Sequence, residues 1–329
     1  MRPPTPRSDR VDRDGIEESF NRLRALIPDP GHGVFGPRSM MWRLASPVPV
    51  LPLTLMEAGL LEAPHPIIAY GTMGSKSATE FMPRFHRSAD AFYDWFYGDL
   101  DTAMRTARRI FGYHSKIQGE LPEDIGGYHE GRPYEANEQA VLIWVWATII
   151  RPLKEYYEHL HGPLRPAEID QYFDECRRFA MLFGIDQGAL PKDWRAFQRY
   201  FDGFAASPTI ELSSEYLNRP GPLSGQVTGS RGARMATGAV NALLAYRLPP
   251  HVLAQYPHLS RSRRRHRVVI AVLAVLRVLW PRLPRGLRES PRYRSAVNRI
   301  GPDSRPSPLA RWVARKLPPP YGKSYLAAD

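Results

Sequence analysis

Cysteine is nearly absent. Cys176 is the single one in 329 residues, so no internal disulfide can form and the chain suits a reducing compartment. Long apolar runs are missing too: Val268 to Trp280 is interrupted by Arg277 and falls well short of the roughly 20 residues that a membrane-spanning helix needs. The opening stretch, Met1 to Asp14, is polar and charged. It lacks the apolar core of a secretory leader, which predicts a cytoplasmic protein. Negative charge is in deficit, with 33 Asp and Glu against 45 Lys and Arg for a net charge of +12. Such a balance favours nucleic acid, anionic lipid or an acidic ligand as partner. No groove-reading motif accompanies it, so no specific nucleic-acid partner is expected. The Gly-rich stretch 221–238 has no Gly-Lys-Ser/Thr ending, which excludes a phosphate-binding P-loop. No Gly-x-Ser-x-Gly elbow is present either. Cys176 lies in an apolar helical stripe and reads as a core residue rather than a nucleophile.

What the chain does have is helical periodicity. Phe85, Ala89, Phe92 and Phe96 recur at helical spacing up to Gly98. Leu100, Met104, Ala107, Phe111 and His114 repeat at three and four and share one face, with Asp99 or Asp101 as cap and Gly119 as closure. Ala140 to Ile150 is apolar on nearly every side, as in a helix surrounded by protein, and Pro152 is expected to kink or end it. Ile169, Tyr172, Phe173, Cys176, Phe179 and Phe183 form a further stripe ended by Gly184. Trp194, Phe197, Phe201 and Phe204 form another. Strand-like alternation does not compete, so the core is predicted to be all-α. The expected organisation is a disordered arm over 1–32, a helical core over 33–207, a Gly/Ser/Pro-rich loop over 208–235, a C-terminal helical region over 236–300 and a Pro-rich tail over 301–329.

Several residues stand out chemically. Glu62 with His65 and Glu158 with His161 have the Glu-x-x-His spacing of di-iron bundles. Pro64 interrupts the first pair and Gly162-Pro163 ends the helix after the second, so both read as solvated helix ends. His114 lies on the apolar face of its helix. It is either a core histidine bonded to a neighbour or a neutral imidazole available to iron. Arg84, Arg87 and Ser88 sit beside an apolar stripe, with Arg84 and Ser88 on one face. They form either a solvated face or a binding site for anionic groups.

These residues belong to a series of short motifs in order along the chain: Gly36-Pro37 with Trp42-Arg43, His65-Pro66 within Leu60–Ala69, Arg84 through Ser88, His114 with Ile117 and Gly119, Gly131 to Tyr134 with Ala136, Trp144 to Thr148, Gly162-Pro163-Leu164, and the stretch Leu182 to Pro191. The series resembles the catalytic domain of the rubber oxygenases (latex-clearing protein) and the MpaB enzymes over roughly residues 33–205. The resemblance implies a large single helical domain of globin-like kind holding haem b, with His114 as the axial iron ligand and Arg84 and Arg87 near the haem or its propionates. It also implies catalytic parts for Arg84, Arg87 and Ser88 in dioxygen-dependent oxidation of an unsaturated lipophilic, possibly isoprenoid, substrate. Two positions depart from the family pattern. Ser88 replaces a threonine and keeps the hydroxyl. Trp146 stands where the family has histidine, which puts catalysis in question and leaves a non-catalytic haem-binding or haem-free carrier as the alternative reading.

Residues 261–288 carry nine arginines and no acidic residue around the apolar run. This segment is expected to be either a core helix with a basic flank or a peripheral contact with an anionic membrane.

Overall fold

The computed structural model describes residues 9–73, 81–217, 231–259 and 262–301. The periodic stripes become helices: α1 Arg13–Leu26, α2 Met40–Ala45, α3 Val50–Glu62, α4 Pro66–Met73, α5 Phe81–Tyr97, α6 Leu100–His114, α7 Gln139–His161, α8 Pro166–Ala180, α9 Trp194–Ala205, α10 Ser214–Leu217, α11 Arg231–Arg247, α12 Pro250–Ala254, α13 Arg263–Leu279, α14 Arg285–Arg288 and α15 Pro291–Ile300. Among the described residues the sheet is one antiparallel pair, β1 Gln118–Glu120 with β2 Pro133–Glu135, in which Gly119 lies opposite Tyr134. The all-α expectation therefore holds.

Local chemistry starts the helices. Asp12 accepts from the Gly15 amide at 2.8 Å at the head of α1, Asp99 from Thr102 at 2.7 Å at the head of α6, and Asp193 from Ala196 at 2.6 Å at the head of α9. Each satisfies an amide that has no partner within its helix. Of the two aspartates available to cap α6, Asp99 is the one used. The helix ends at His114 rather than running on to Gly119, because the chain turns there into β1.

Packing refines the expected organisation. Residues 1–32 are not a disordered arm throughout: α1 buries Ile16, Phe20 and Leu23 in the main core, and residues 1–8 lie outside the described set. Pro152 does not end α7, which continues to His161. Pro152 and its neighbours Leu153 and Tyr156 are buried there, and this burial outweighs the lost backbone hydrogen bond. The 208–235 stretch contains α10 and the start of α11, while 218–230 lies outside the described residues. The 236–300 region packs into the same core, since Leu244, Leu248, Tyr256, Trp280 and Ala296 join the same hydrophobic cluster as Trp42, Trp146 and Phe179. Residues 302–329 of the expected tail lie outside the described residues.

At the centre, α7 packs along α3, and α13 covers another side of α7. Near the chain's end the backbone returns to its beginning: Val48 donates to the Arg288 carbonyl at 2.9 Å and Ser290 to that of Ser46 at 2.6 Å. A smaller apolar cluster of Ile67, Tyr70, Leu121, Ile125, Tyr134 and Val141 lies beneath the β-hairpin.

Candidate functional site

α5 and α6 are joined through Gly98 and Asp99 as an antiparallel hairpin. Its closed end is pressed against Gly33, where φ is +75° and an added Cβ would stand 2.0 Å from the Gly98 carbonyl oxygen. Only glycine combines that left-handed backbone with so close an approach. The hairpin sets the first turn of α5 beside the last residue of α6, so Arg84 and His114 meet at its open end.

His114 is half-buried and its imidazole makes no hydrogen bond among the described residues. Burial, reinforced by the positive charge of Arg84, pushes its pKa down to about 4, so the ring is neutral at pH 7. His114 lines a narrow cleft with Ala107, Ile110 and Phe111 of its own helix and Trp95 of α5, enclosing about 240 Å³ including its open mouth. Trp95 Nε1 is buried there without a hydrogen-bond partner.

Arg84 is exposed and its Nη2 donates to Thr72 Oγ1 of α4 at 3.2 Å. Its charge acts on three half-buried groups, His114, Glu62 and Tyr216. Glu62 ends α3. Burial raises its pKa to about 7, against the opposing effects of Thr148 and Arg84. Thr148 Oγ1 of α7 lies 2.7 Å from both Glu62 Oε1 and the Val145 carbonyl oxygen. A hydroxyl has one proton to give. When that proton goes to Val145, the short contact to Glu62 requires a protonated carboxyl, which agrees with the raised pKa. Tyr216, on α10, is pushed up by burial. Thus α3, α4, α5, α6, α7 and α10 each bring one polar group to a single region.

Of the four residues singled out in the sequence, Arg84 and His114 are brought together. Arg87 is exposed and Ser88 half-buried on the same helix, and neither hydrogen-bonds to the other site groups among the described residues. Glu62, Thr148 and Tyr216 were not singled out as a site. Glu62 did leave a signal, as one of two charged residues in an otherwise apolar helix, where a charge needs a partner or a proton. Its pairing with Thr148 is not a property of local sequence.

The first Glu-x-x-His pair is not a solvated helix end, whereas the second does end α7, with His161 exposed. His65 is 1% exposed, stacks on Phe204 at 6.0 Å and leaves Nδ1 without a partner. Burial lowers its pKa to about 4, helped by the charge of Arg132. Glu158 accepts from Lys154 at 2.7 Å and the Leu164 amide at 2.9 Å, and His161 stacks on Tyr157 at 4.2 Å. No cluster of metal-ligating side chains occurs among the described residues. Trp146 is fully buried, donates from Nε1 to the Cys176 carbonyl at 2.8 Å and meets Phe197 edge-on at 5.4 Å. Two residues along a helix turn by about 200°, so Trp146 faces α8 and α9 while Thr148 faces Glu62.

The described residues thus form an essentially all-helical fold in which the charge of Arg84 reaches a half-buried histidine across a helical hairpin. Residues 42–280 match the family described as ER-bound oxygenase mpaB/B'/Rubber oxygenase, catalytic domain. The chain belongs to that family. It is also similar to Uncharacterized protein Rv2237 of Mycobacterium tuberculosis and Uncharacterized protein Mb2261 of Mycobacterium bovis, 29% identical in each case over 68 residues, 21% of this chain and 27% of the relative. The match therefore spans about a quarter of those relatives' length. No solved structure matches the chain.

Proposed function

We propose that this member of an oxygenase family is haem-dependent and uses dioxygen to oxidise an unsaturated lipophilic substrate, with His114 as the axial ligand of haem b. The observation that carries the reading is the half-buried imidazole of His114 with no hydrogen-bond partner among the described residues, within reach of the charge of Arg84. This donor chemistry fits the group: neutral imidazole is a ligand for haem iron, and guanidinium binds carboxylates such as propionates. Most of the cleft volume of about 240 Å³ is open mouth: the enclosed part has room for about one water molecule, far below the roughly 300–1,000 Å³ of ordinary small-molecule sites, so haem could enter only if the surrounding helices moved apart.

Bound haem would supply the dioxygen chemistry. The chain's own residues would do the rest. His114 stays unprotonated at neutral pH. Arg84 anchors anionic groups, keeps His114 uncharged and favours the ionised form of Glu62. Glu62 holds or releases a proton near pH 7 beside the Thr148 hydroxyl. The apolar wall of Ile110, Phe111 and Trp95 excludes water. The catalytic parts assigned to Arg87 and Ser88 remain proposals drawn from the family motif.

A second reading, a haem-free binding protein, draws on the small cleft and on Trp146. The visible spectrum of the purified protein separates the two. His114→Ala is expected to abolish the Soret band and His65→Ala to keep it. Arg84→Ala is expected to weaken haem retention about 10- to 100-fold, the effect of losing one charge-assisted hydrogen bond. A full, unshifted Soret band in His114→Ala would overturn the assignment.

A further inference from the structure

The outer side of α13 answers to nothing in the proposed site. The helix is apolar all round its central turns, a composition expected of a helix enclosed by protein, yet only one side is covered. Val269 and Trp280 at its end are buried at 8% exposure each, while Val268, Val272, Val275, Val278 and Leu279 are 50–57% exposed. Leu287, in α14 just beyond, is 60% exposed. Soluble chains rarely leave so continuous an apolar strip in water.

The ends of the strip are cationic. Arg264 and Arg267 are exposed at the amino end, and Arg277, Arg282 and Arg285 at the other, with Arg285 paired to Glu289 at 2.9 Å. The first turn of α13 holds several arginines and no acidic residue. Positive side chains there oppose the helix dipole, whose amino end favours anions. Apolar residues between cationic rims suit a helix lying flat at a lipid interface, with its apolar side chains among the outer acyl segments and its arginines on the surrounding phosphates.

From this we infer that the outer face of α13, with α14, docks on an anionic lipid bilayer surface and lies in its plane. Charge decides between occupants. A second copy of the chain meeting the same face about a twofold axis would bring arginine rim against arginine rim. A nucleic acid would find apolar side chains where phosphate contacts are needed. Insertion across the bilayer is ruled out by length, since no helix among the described residues is long and apolar enough to span it, and by the packing of α13 on α7 and α11. Arg261, which belongs to the same basic run, lies outside the described residues. The inference does not depend on haem or on catalysis.

Co-sedimentation with vesicles tests it, using phosphatidylcholine alone and phosphatidylcholine mixed with phosphatidylglycerol. The full chain should pellet with the mixed vesicles at low salt, not with the neutral ones, and be released as salt screens the headgroups. Val275→Glu/Val278→Glu and Arg264→Glu/Arg267→Glu should each keep the helical circular dichroism signal and Tm. Each should lower partitioning at least tenfold, since each surface arginine contributes about fivefold attraction to an anionic leaflet and each glutamate puts a repelled charge where an apolar side chain would be buried. Three results would overturn the inference: no binding to anionic vesicles at low salt, equal binding to neutral vesicles, or a dimer in solution that Val275→Glu/Val278→Glu dissociates.

Discussion

Trp146 shows how one residue can be read in the sequence yet explained only by its surroundings. It occupies a family histidine position, and in the structure its indole fills the space between α7, α8 and α9 while its N–H satisfies the Cys176 carbonyl. Trp146→His, though it restores the family residue, would leave part of a fully buried site empty. The expected cost is about 2–4 kcal/mol by analogy with large-to-small core substitutions. Chemical denaturation measures it, and an unchanged midpoint would show that the site re-packs around a smaller ring. His114 teaches the opposite lesson. Its place on an apolar stripe was legible from spacing alone, because a helical face is a local property. That Arg84 lies close enough to lower its pKa depends on the α5–α6 hairpin.

Among the elements, α11 is tied to the centre by charge. Arg247 donates to Glu57 of α3 at 2.5 and 3.1 Å and also to Glu155 of α7, with its guanidinium over the Tyr156 ring at 4.5 Å. The Arg247 and Glu57 side chains are 5% and 4% exposed. Removing one partner of a buried ion pair strands the other charge in a poor solvent, at a typical cost of about 3–5 kcal/mol. Arg247→Met is therefore expected to lower stability by that amount. Glu57→Gln/Arg247→Met should recover part of the loss, because the stranded carboxylate is gone. Equal stability of Arg247→Met and the natural chain in urea would show that the network contributes nothing net. No sequence motif announces this junction, since its members are nearly two hundred residues apart.

For the whole molecule, three site-region groups shape the pH profile. His65 and His114 have folded pKa values near 4 against an ordinary 6.5. Both are neutral in the folded and unfolded chain above pH 6.5, and the stability they preserve is lost as pH falls from 6.5 towards 4. Glu62 has a folded pKa near 7 against 4.5. Its contribution is intact below pH 4.5 and is lost as pH rises from 4.5 to 7. Together these groups place their combined optimum near pH 6.5. Glu62→Gln keeps an acceptor for Thr148 but cannot ionise. Its unfolding free energy relative to the natural chain should rise between pH 4.5 and 7 and then level off, by up to about 3 kcal/mol at about 1.4 kcal/mol for each pKa unit, with Tm rising in parallel. A Tm difference that does not change with pH would mean that Glu62 titrates normally.

The helical class, the stripes carried by α5, α6, α8 and α9, and the family motifs were all determined by the sequence, because each depends on spacing within about one or two dozen residues of chain. Tertiary structure decided the rest. Phe20 and Leu23 turn an apparently loose arm into part of the core, since burial in a distant groove outweighs local polarity. Pro152 stays inside α7 because protein surrounds it on its buried side. The shared core of 33–207 and 236–300 rests on contacts such as Tyr256 Oη donating to the Leu60 carbonyl at 2.8 Å. The electrostatic meeting of Glu62, Arg84, His114 and Tyr216 likewise joins four helices. A local pattern can specify which face of a helix is apolar, but what that face meets is set by the packing of the whole chain.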